Sequence, residues 1–217
     1  MWPRLLAAAD RRWLAILTGV VGNSAQGSRL DRGRDLSNAA WKLRATAASL
    51  TGDPAESEET TRLVREKLTE AVMLCRKAGA DRELATALRR LGHAEQDAGR
   101  DDVAAARYEE AVAAARRTGD PLLLAHAIRH LGDAHRSARR FAVAETCYDE
   151  ALALYAAEDK PPALDYANAI RPMALLKEAL GGIDEARHLW RRAKTLYAAV
   201  PATAGVAECD ENLSRLG

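Results

Sequence analysis

The chain has 217 residues, 48% of them hydrophobic and only 5% aromatic, with 32 basic side chains against 31 acidic ones. A composition rich in alanine and charge, without Val/Ile-rich strand runs, excludes a mixed α/β fold and favours helix throughout. The balanced charge lacks the basic excess or stripe of a nucleic-acid binder, and no run approaches the roughly 20 apolar residues of a membrane span, so neither partner is expected.

The first element runs through Leu5, Ala9, Trp13, Ile16 or Leu17, and Val20, apolar positions spaced by three or four on one helical face. Arg11-Arg12, then WLAILTGVVG and NSA, has the outline of a secretion signal, but Asp10 stands where such a signal is basic. The expected element is a packing helix on a cytoplasmic chain, followed by a Gly/Ser/Asn-rich connector, so that residues 1–33 precede the main array. Cys75, Cys147 and Cys209 are odd in number and far apart, and each falls on an apolar helical position. They read as buried free thiols in a reducing compartment.

From Leu36 the chain repeats itself. LSNAAWKL at Leu36, LATALRRL at Leu84, LAHAIRHL at Leu124, YANAIRPM at Tyr166 and, more weakly, VAECDENL at Val206 share one register, their starts 48, 40, 42 and 40 residues apart. Each places apolar and small residues at helical spacing, which is a buried stripe. A second helix follows each of the first four. It carries a small residue (Val64, Ala104, Ala144, Ala186), then a bulky one (Leu68, Tyr108, Tyr148, Trp190), then an alanine (Ala71, Ala111, Ala151, Ala193). Small residues let helix axes approach, and the bulky one fills the gap between hairpins.

Gly92 and Gly132 recur mid-helix, where glycine costs about 0.5–1 kcal/mol against alanine; a neighbour too close for a Cβ is the expected reason. Hairpin turns are predicted at Gly99-Arg100, Arg139-Arg140 and Gly181-Gly182. Turns between units are predicted at Gly79-Ala80, Gly119-Asp120-Pro121 and Lys160-Pro161-Pro162. The first hairpin is eight residues longer, and its TGDPAESEET has the Pro and acids of a helix start. Pro172, inside a first helix, predicts a bend.

Leu91-Gly92 and Leu131-Gly132, followed by Ala104-Tyr108-Ala111 and Ala144-Tyr148-Ala151, resemble the tetratricopeptide repeat signature. The unit at Tyr166 keeps Ala186-Trp190-Ala193 but replaces Leu-Gly by Met173-Ala174. The 40–42-residue period exceeds the usual 34 and is similar to the longer variety found in kinesin light chains and many bacterial signalling proteins. The resemblance implies an all-α, right-handed α-solenoid of about four helical hairpins over residues 34–200, with residues 201–217 as a C-terminal capping helix.

It also implies that the first helices line a concave face that binds an extended or helical peptide. The inward columns are then Asn38, Thr86, His126 and Asn168; Trp41, Arg89, Arg129 and Arg171; and Ala45, His93, Asp133 and Leu175. The candidate site is therefore Asn38, Trp41, Arg89, His93, His126, Arg129, Asp133, Asn168 and Arg171. Its three arginines form a ladder suited to the carboxylates of an acidic peptide. The same arginines could instead pair with acids such as Asp133, Glu178 or Glu211. The ladder does not match the Lys/Asn carboxylate clamp of chaperone-binding members. His126 and His130, four apart with Asp133 a turn on, have metal-ligand spacing but no HExxH glutamate and no clear further ligand beyond His93, so no metal site is expected. No GxGxxG after a strand, P-loop or nucleophile elbow occurs, and neither an enzyme nor a cofactor is expected.

The expected function is thus a non-catalytic adaptor with an arginine-lined groove for a protein or peptide. The alternatives are a ligand-responsive sensory module and a self-associating homodimer docking through Trp2, Trp13 and Leu17.

Overall fold

The computed structural model describes residues 29–49 and 54–217, and among these every regular element is a helix. In chain order they are α1 (Arg29–Ser49), α2 (Pro54–Lys77), α3 (Asp81–Asp97), α4 (Asp101–Thr118), α5 (Pro121–Ser137), α6 (Phe141–Ala156), α7 (Ala163–Ala179), α8 (Ile183–Ala198) and α9 (Thr203–Leu216). The predicted N-terminal packing helix, and with it Trp2, Trp13 and Leu17, lies outside the described residues. Helix α1 begins at Arg29 and takes in Gly33, which composition places in a connector. A Cβ there would stand 3.0 Å from Cys75 Sγ and 3.2 Å from Leu74 Cβ, so this glycine serves close packing against α2.

The helices form two compact units that divide between Thr118 and Gly119. In the first, α1 pairs with α2 and α3 with α4, while α1 and α2 both pack on α3. In the second, α5 pairs with α6 and α7 with α8, α5 and α6 pack on α7, and α9 packs on α8. Each unit is therefore a stack of helical hairpins in which each first helix meets the next.

The second-helix register builds the core as expected. Val64, Ala104, Ala144 and Ala186, then Leu68, Tyr108, Tyr148 and Trp190, then Ala71, Ala111, Ala151 and Ala193 are all at most 2% exposed. The first helices contribute Leu36, Leu88, Ile128 and Ile170, also fully buried. Each bulky aromatic is pinned by its polar end. Tyr108 Oη donates to Gln96 Oε1 at 2.6 Å, Tyr148 Oη to Asp133 Oδ1 at 2.9 Å, and Trp190 Nε1 to Glu178 Oε1 at 2.6 Å. These pins explain the mid-helix glycines. A Cβ on Gly92 would lie 2.6 Å from Tyr108 Cε1, and one on Gly132 would lie 2.7 Å from Tyr148 Cε1. The close neighbour is an aromatic ring rather than a helix backbone. Gly205 of α9 repeats the device against the ring of Tyr197, 2.7 Å away.

Helix ends fall where the turn residues place them. Gly79, Gly99, Gly119 and Gly181 adopt φ between +65° and +81°, and Arg139 takes the same left-handed conformation at φ +58° in the hairpin that lacks a glycine. Asp120 caps α5 by accepting from Leu123 N at 3.0 Å, with Pro121 opening the helix. Helix α7 continues through Pro172 without interruption. Cys75, Cys147 and Cys209 are free and buried. Burial, and for Cys209 also the carboxylates of Glu208 and Asp210, pushes the Cys75 and Cys209 thiols up, Cys209 to about 11. No helix among the described residues is long and apolar enough to cross a membrane.

Candidate binding surface

On the first unit, one face of α1 carries Ser37, Asn38, Trp41 and Arg44 at helical spacing, and the adjacent α3 carries Arg89, Arg90 and His93. Trp41 is the centre of this group. The guanidinium carbons of Arg44, Arg90 and Arg89 lie 4.9, 5.7 and 5.8 Å from its ring centroid, within cation–π range. The His93 ring stands 5.5 Å from Trp41 and 5.6 Å, edge to face, from Tyr108, which ties the cluster to the core. The four predicted residues of this unit, Asn38, Trp41, Arg89 and His93, are thus brought together.

Arg44 and Arg90 differ in how they are balanced. Arg44 forks onto Asp97, its Nε 2.5 Å from Oδ2 and its Nη2 3.0 Å from Oδ1. Arg90 instead donates from Nη1 to two neutral oxygens, Ser37 Oγ and Asn38 Oδ1, both at 2.8 Å. Its Nε is buried without a hydrogen-bond partner. Burial lowers the Arg90 pKa by desolvating its charge, and no carboxylate among the described residues hydrogen-bonds to it. Sequence columns did not single out Arg90, because its register holds His130 and Pro172 in later units and so shows no common chemistry.

On the second unit the predicted residues mostly satisfy one another. Arg129 Nη1 donates to Asp133 Oδ2 at 3.2 Å and its Nη2 to His130 Nε2 at 2.5 Å; His130 Nε2 lies 3.3 Å from His126 Nε2. Asp133 also accepts from Tyr148, so His126, Arg129, His130 and Asp133 form one chain of contacts running into the core. Asn168 Oδ1 accepts from Tyr197 Oη at 2.8 Å. Arg171 Nε donates to Glu208 Oε1 of α9 at 2.7 Å. Burial lowers the Arg171 pKa and the Glu208 carboxylate more than restores it, leaving it raised. Arg129 and Arg171 therefore both have carboxylate partners, Asp133 on Arg129's own helix and Glu208 on the adjacent α9.

Residues 83–157 match the family model of the tetratricopeptide repeat. No curated protein matches the chain. Among solved structures, the apo form of RapI is 8% identical with a TM-score of 0.74, covering 94% of this chain and 68% of its own. A Podosopora anserina protein described as a kinesin light chain with nearly identical TPR-like repeats is 15% identical with a TM-score of 0.60, covering 85% and 94%. A Rap protein complexed with competence and sporulation factor is 12% identical with a TM-score of 0.69, covering 88% of this chain and 52% of its own. At these identities the likeness is one of fold.

Proposed function

We propose, from the premise that residues 83–157 form tetratricopeptide repeats, that the chain is a non-catalytic adaptor whose first-helix face binds an acidic segment of a protein or peptide. The observation that carries this reading is Arg90, a desolvated guanidinium hydrogen-bonded, among the described residues, only to neutral oxygens, in a cluster with Trp41, Arg44 and Arg89. A carboxylate arriving there would supply the missing counter-charge, and the indole would supply apolar contact area. His93 and Asn38 flank the cluster as further polar contacts. On the second unit, His126, Arg129, Asp133, Asn168 and Arg171 would form a binding surface of their own, exchanging internal partners for those of a ligand. We take the array to span residues 34–200 with 1–33 and 201–217 as flanks, in a cytoplasmic chain without nucleic-acid or membrane partners.

A ligand-responsive regulatory role, with a peptide or small effector, is the second reading, favoured by the likeness in fold to a Rap protein solved in complex with competence and sporulation factor. Self-association through the N-terminal residues is a third.

The test is fluorescence anisotropy with two labelled, blocked dodecapeptides, one of alternating Glu and Leu and one of alternating Lys and Leu. The acidic peptide is expected to bind, with affinity falling as salt rises, since exposed charge is screened over about 10 Å at 0.1 M. An Arg89→Gln/Arg90→Gln variant of equal helicity should weaken binding by about tenfold, on the order of 1.4 kcal/mol. Equal binding of both peptides, or no loss in the variant, would refute the reading.

A further inference from the structure

A second surface lies in the second unit, away from the inner column. Between α6, α7 and α8 the helices leave an open crevice of about 500 Å³. Its floor is apolar, made by Leu152 of α6, Met173 of α7 and Leu189 of α8, which also pack on the buried cluster of Ala144, Tyr148 and Leu176. Its rim is acidic. Lys177 Nζ lies between Glu145 Oε1 at 2.7 Å and Glu185 Oε2 at 2.6 Å, so one cation serves two carboxylates. Asp184 Oδ1 has the Arg187 guanidinium 3.2 Å away. Asp149, on the α6 side of the mouth, makes no ion pair or hydrogen bond among the described residues. Burial first, then the neighbouring Glu145 charge, pushes its carboxyl above the usual range, with Lys177 only partly opposing. Three carboxylates, Asp149, Asp184 and Glu185, thus line the crevice around its apolar floor, with Lys177 and His188 as the basic side chains of its wall.

We propose that this crevice is a docking site for an arginine side chain presented by a segment of a partner protein. The aliphatic stem would lie on Leu152, Met173 and Leu189 while the guanidinium meets Asp149 at the mouth. An acidic side chain would meet like charge. A purely apolar one would cover Asp149 and leave its charge without a partner, which is costly. A guanidinium suits the place better than an ammonium, because it is planar, weakly hydrated and forks onto a carboxylate while stacking on apolar groups. The site is opposite in charge preference to the Arg90 cluster and independent of it.

The test uses the full chain and two probes, Nα-acetyl-L-arginine amide and Nα-acetyl-L-norleucine amide, titrated at low salt and followed by two-dimensional NMR. The arginine probe is expected to give saturable shifts centred on Leu152, Met173 and Leu189. Both the norleucine probe and the Asp149→Asn variant should weaken binding by about fivefold or more, roughly a 1 kcal/mol change. Because the Asp149 carboxylate is destabilised by the fold, Asp149→Asn should unfold at the same or a higher temperature than wild type at neutral pH. A raised folded-state pKa means that the charged form, dominant at neutral pH, is the one the fold disfavours. Absence of localised shifts up to about 50 mM probe, where only a few kcal/mol of affinity would be needed, would overturn the proposal. So would equal binding of norleucine, unchanged binding in Asp149→Asn, or a clear loss of thermal stability in that variant.

Discussion

Trp190→Ala is expected to destabilise the second unit by about 3–5 kcal/mol, as removal of a fully buried tryptophan does when the surroundings cannot collapse. The side chain has no exposed surface and sits in the register shared with Leu68, Tyr108 and Tyr148, between the alanines Ala186 and Ala193 that bring the helices close. The change also strips the indole donor from Glu178, a carboxylate only 12% exposed that is otherwise bonded to Arg215. Trp190→Phe keeps most of the volume and should cost less, about 1–2 kcal/mol for the lost hydrogen bond and the smaller ring. Urea unfolding followed by circular dichroism measures both, provided the m-value is compared as well as the midpoint. A loss under about 1 kcal/mol for the alanine variant would show that Trp190 does not fill the stack in this way.

Gly132→Ala separates local propensity from packing, because the two predict opposite signs. In an ordinary helix interior the change would stabilise by about 0.5–1 kcal/mol. Here the new Cβ would lie 2.7 Å from Tyr148 Cε1 and 3.1 Å from Cys147 Cβ. The ring cannot swing away, since it is fully buried and its hydroxyl is held by Asp133. The expected net result is destabilisation of about 1–3 kcal/mol, as overpacking usually costs. In a Tyr148→Leu background the ring is gone and only the 3.1 Å approach to Cys147 Cβ remains, so the same Gly132→Ala change should cost clearly less, a coupling that a double-mutant cycle reads directly. The fourth hairpin carries a natural version of this exchange. Ala174 occupies the glycine register there, in a unit whose bulky aromatic is Trp190 rather than a tyrosine, and both are fully buried.

The hairpin register was legible in the sequence because the units restate it. Apolar residues three and four apart, small residues before and after one bulky side chain, and Gly at most turns are local signals repeated at 40–48 residues. The meaning of Gly92 and Gly132 was legible only in outline, since the ring that crowds each comes from the following helix. The division between Thr118 and Gly119 was not legible: Gly119-Asp120-Pro121 reads like the other junctions between hairpins, and only the packing distinguishes it.

For the candidate site, Arg129 with Asp133 is an i,i+4 pair and could be read from spacing alone. The partner of Arg171 could not, because α9 has degenerated from the repeat and Glu208 rather than Glu211 faces it. Arg90 was invisible for a different reason. Its importance lies in the neutrality of Ser37 and Asn38, which are 53 and 52 residues away in sequence. The crevice around Leu152, Met173 and Leu189 draws on three helices, so no single stretch of sequence announces it.

The most direct test of the adaptor reading is where an acidic peptide binds. The alternating Glu/Leu dodecapeptide should be titrated into isotopically labelled full-length protein while the Trp41 indole N–H and the amides of Asn38, Arg90 and His93 are followed by NMR. The account predicts saturable shifts concentrated on these α1 and α3 positions, disappearing in the Arg89→Gln/Arg90→Gln variant. Saturable shifts confined to α2 and α4, with Trp41 and His93 unmoved, would contradict it.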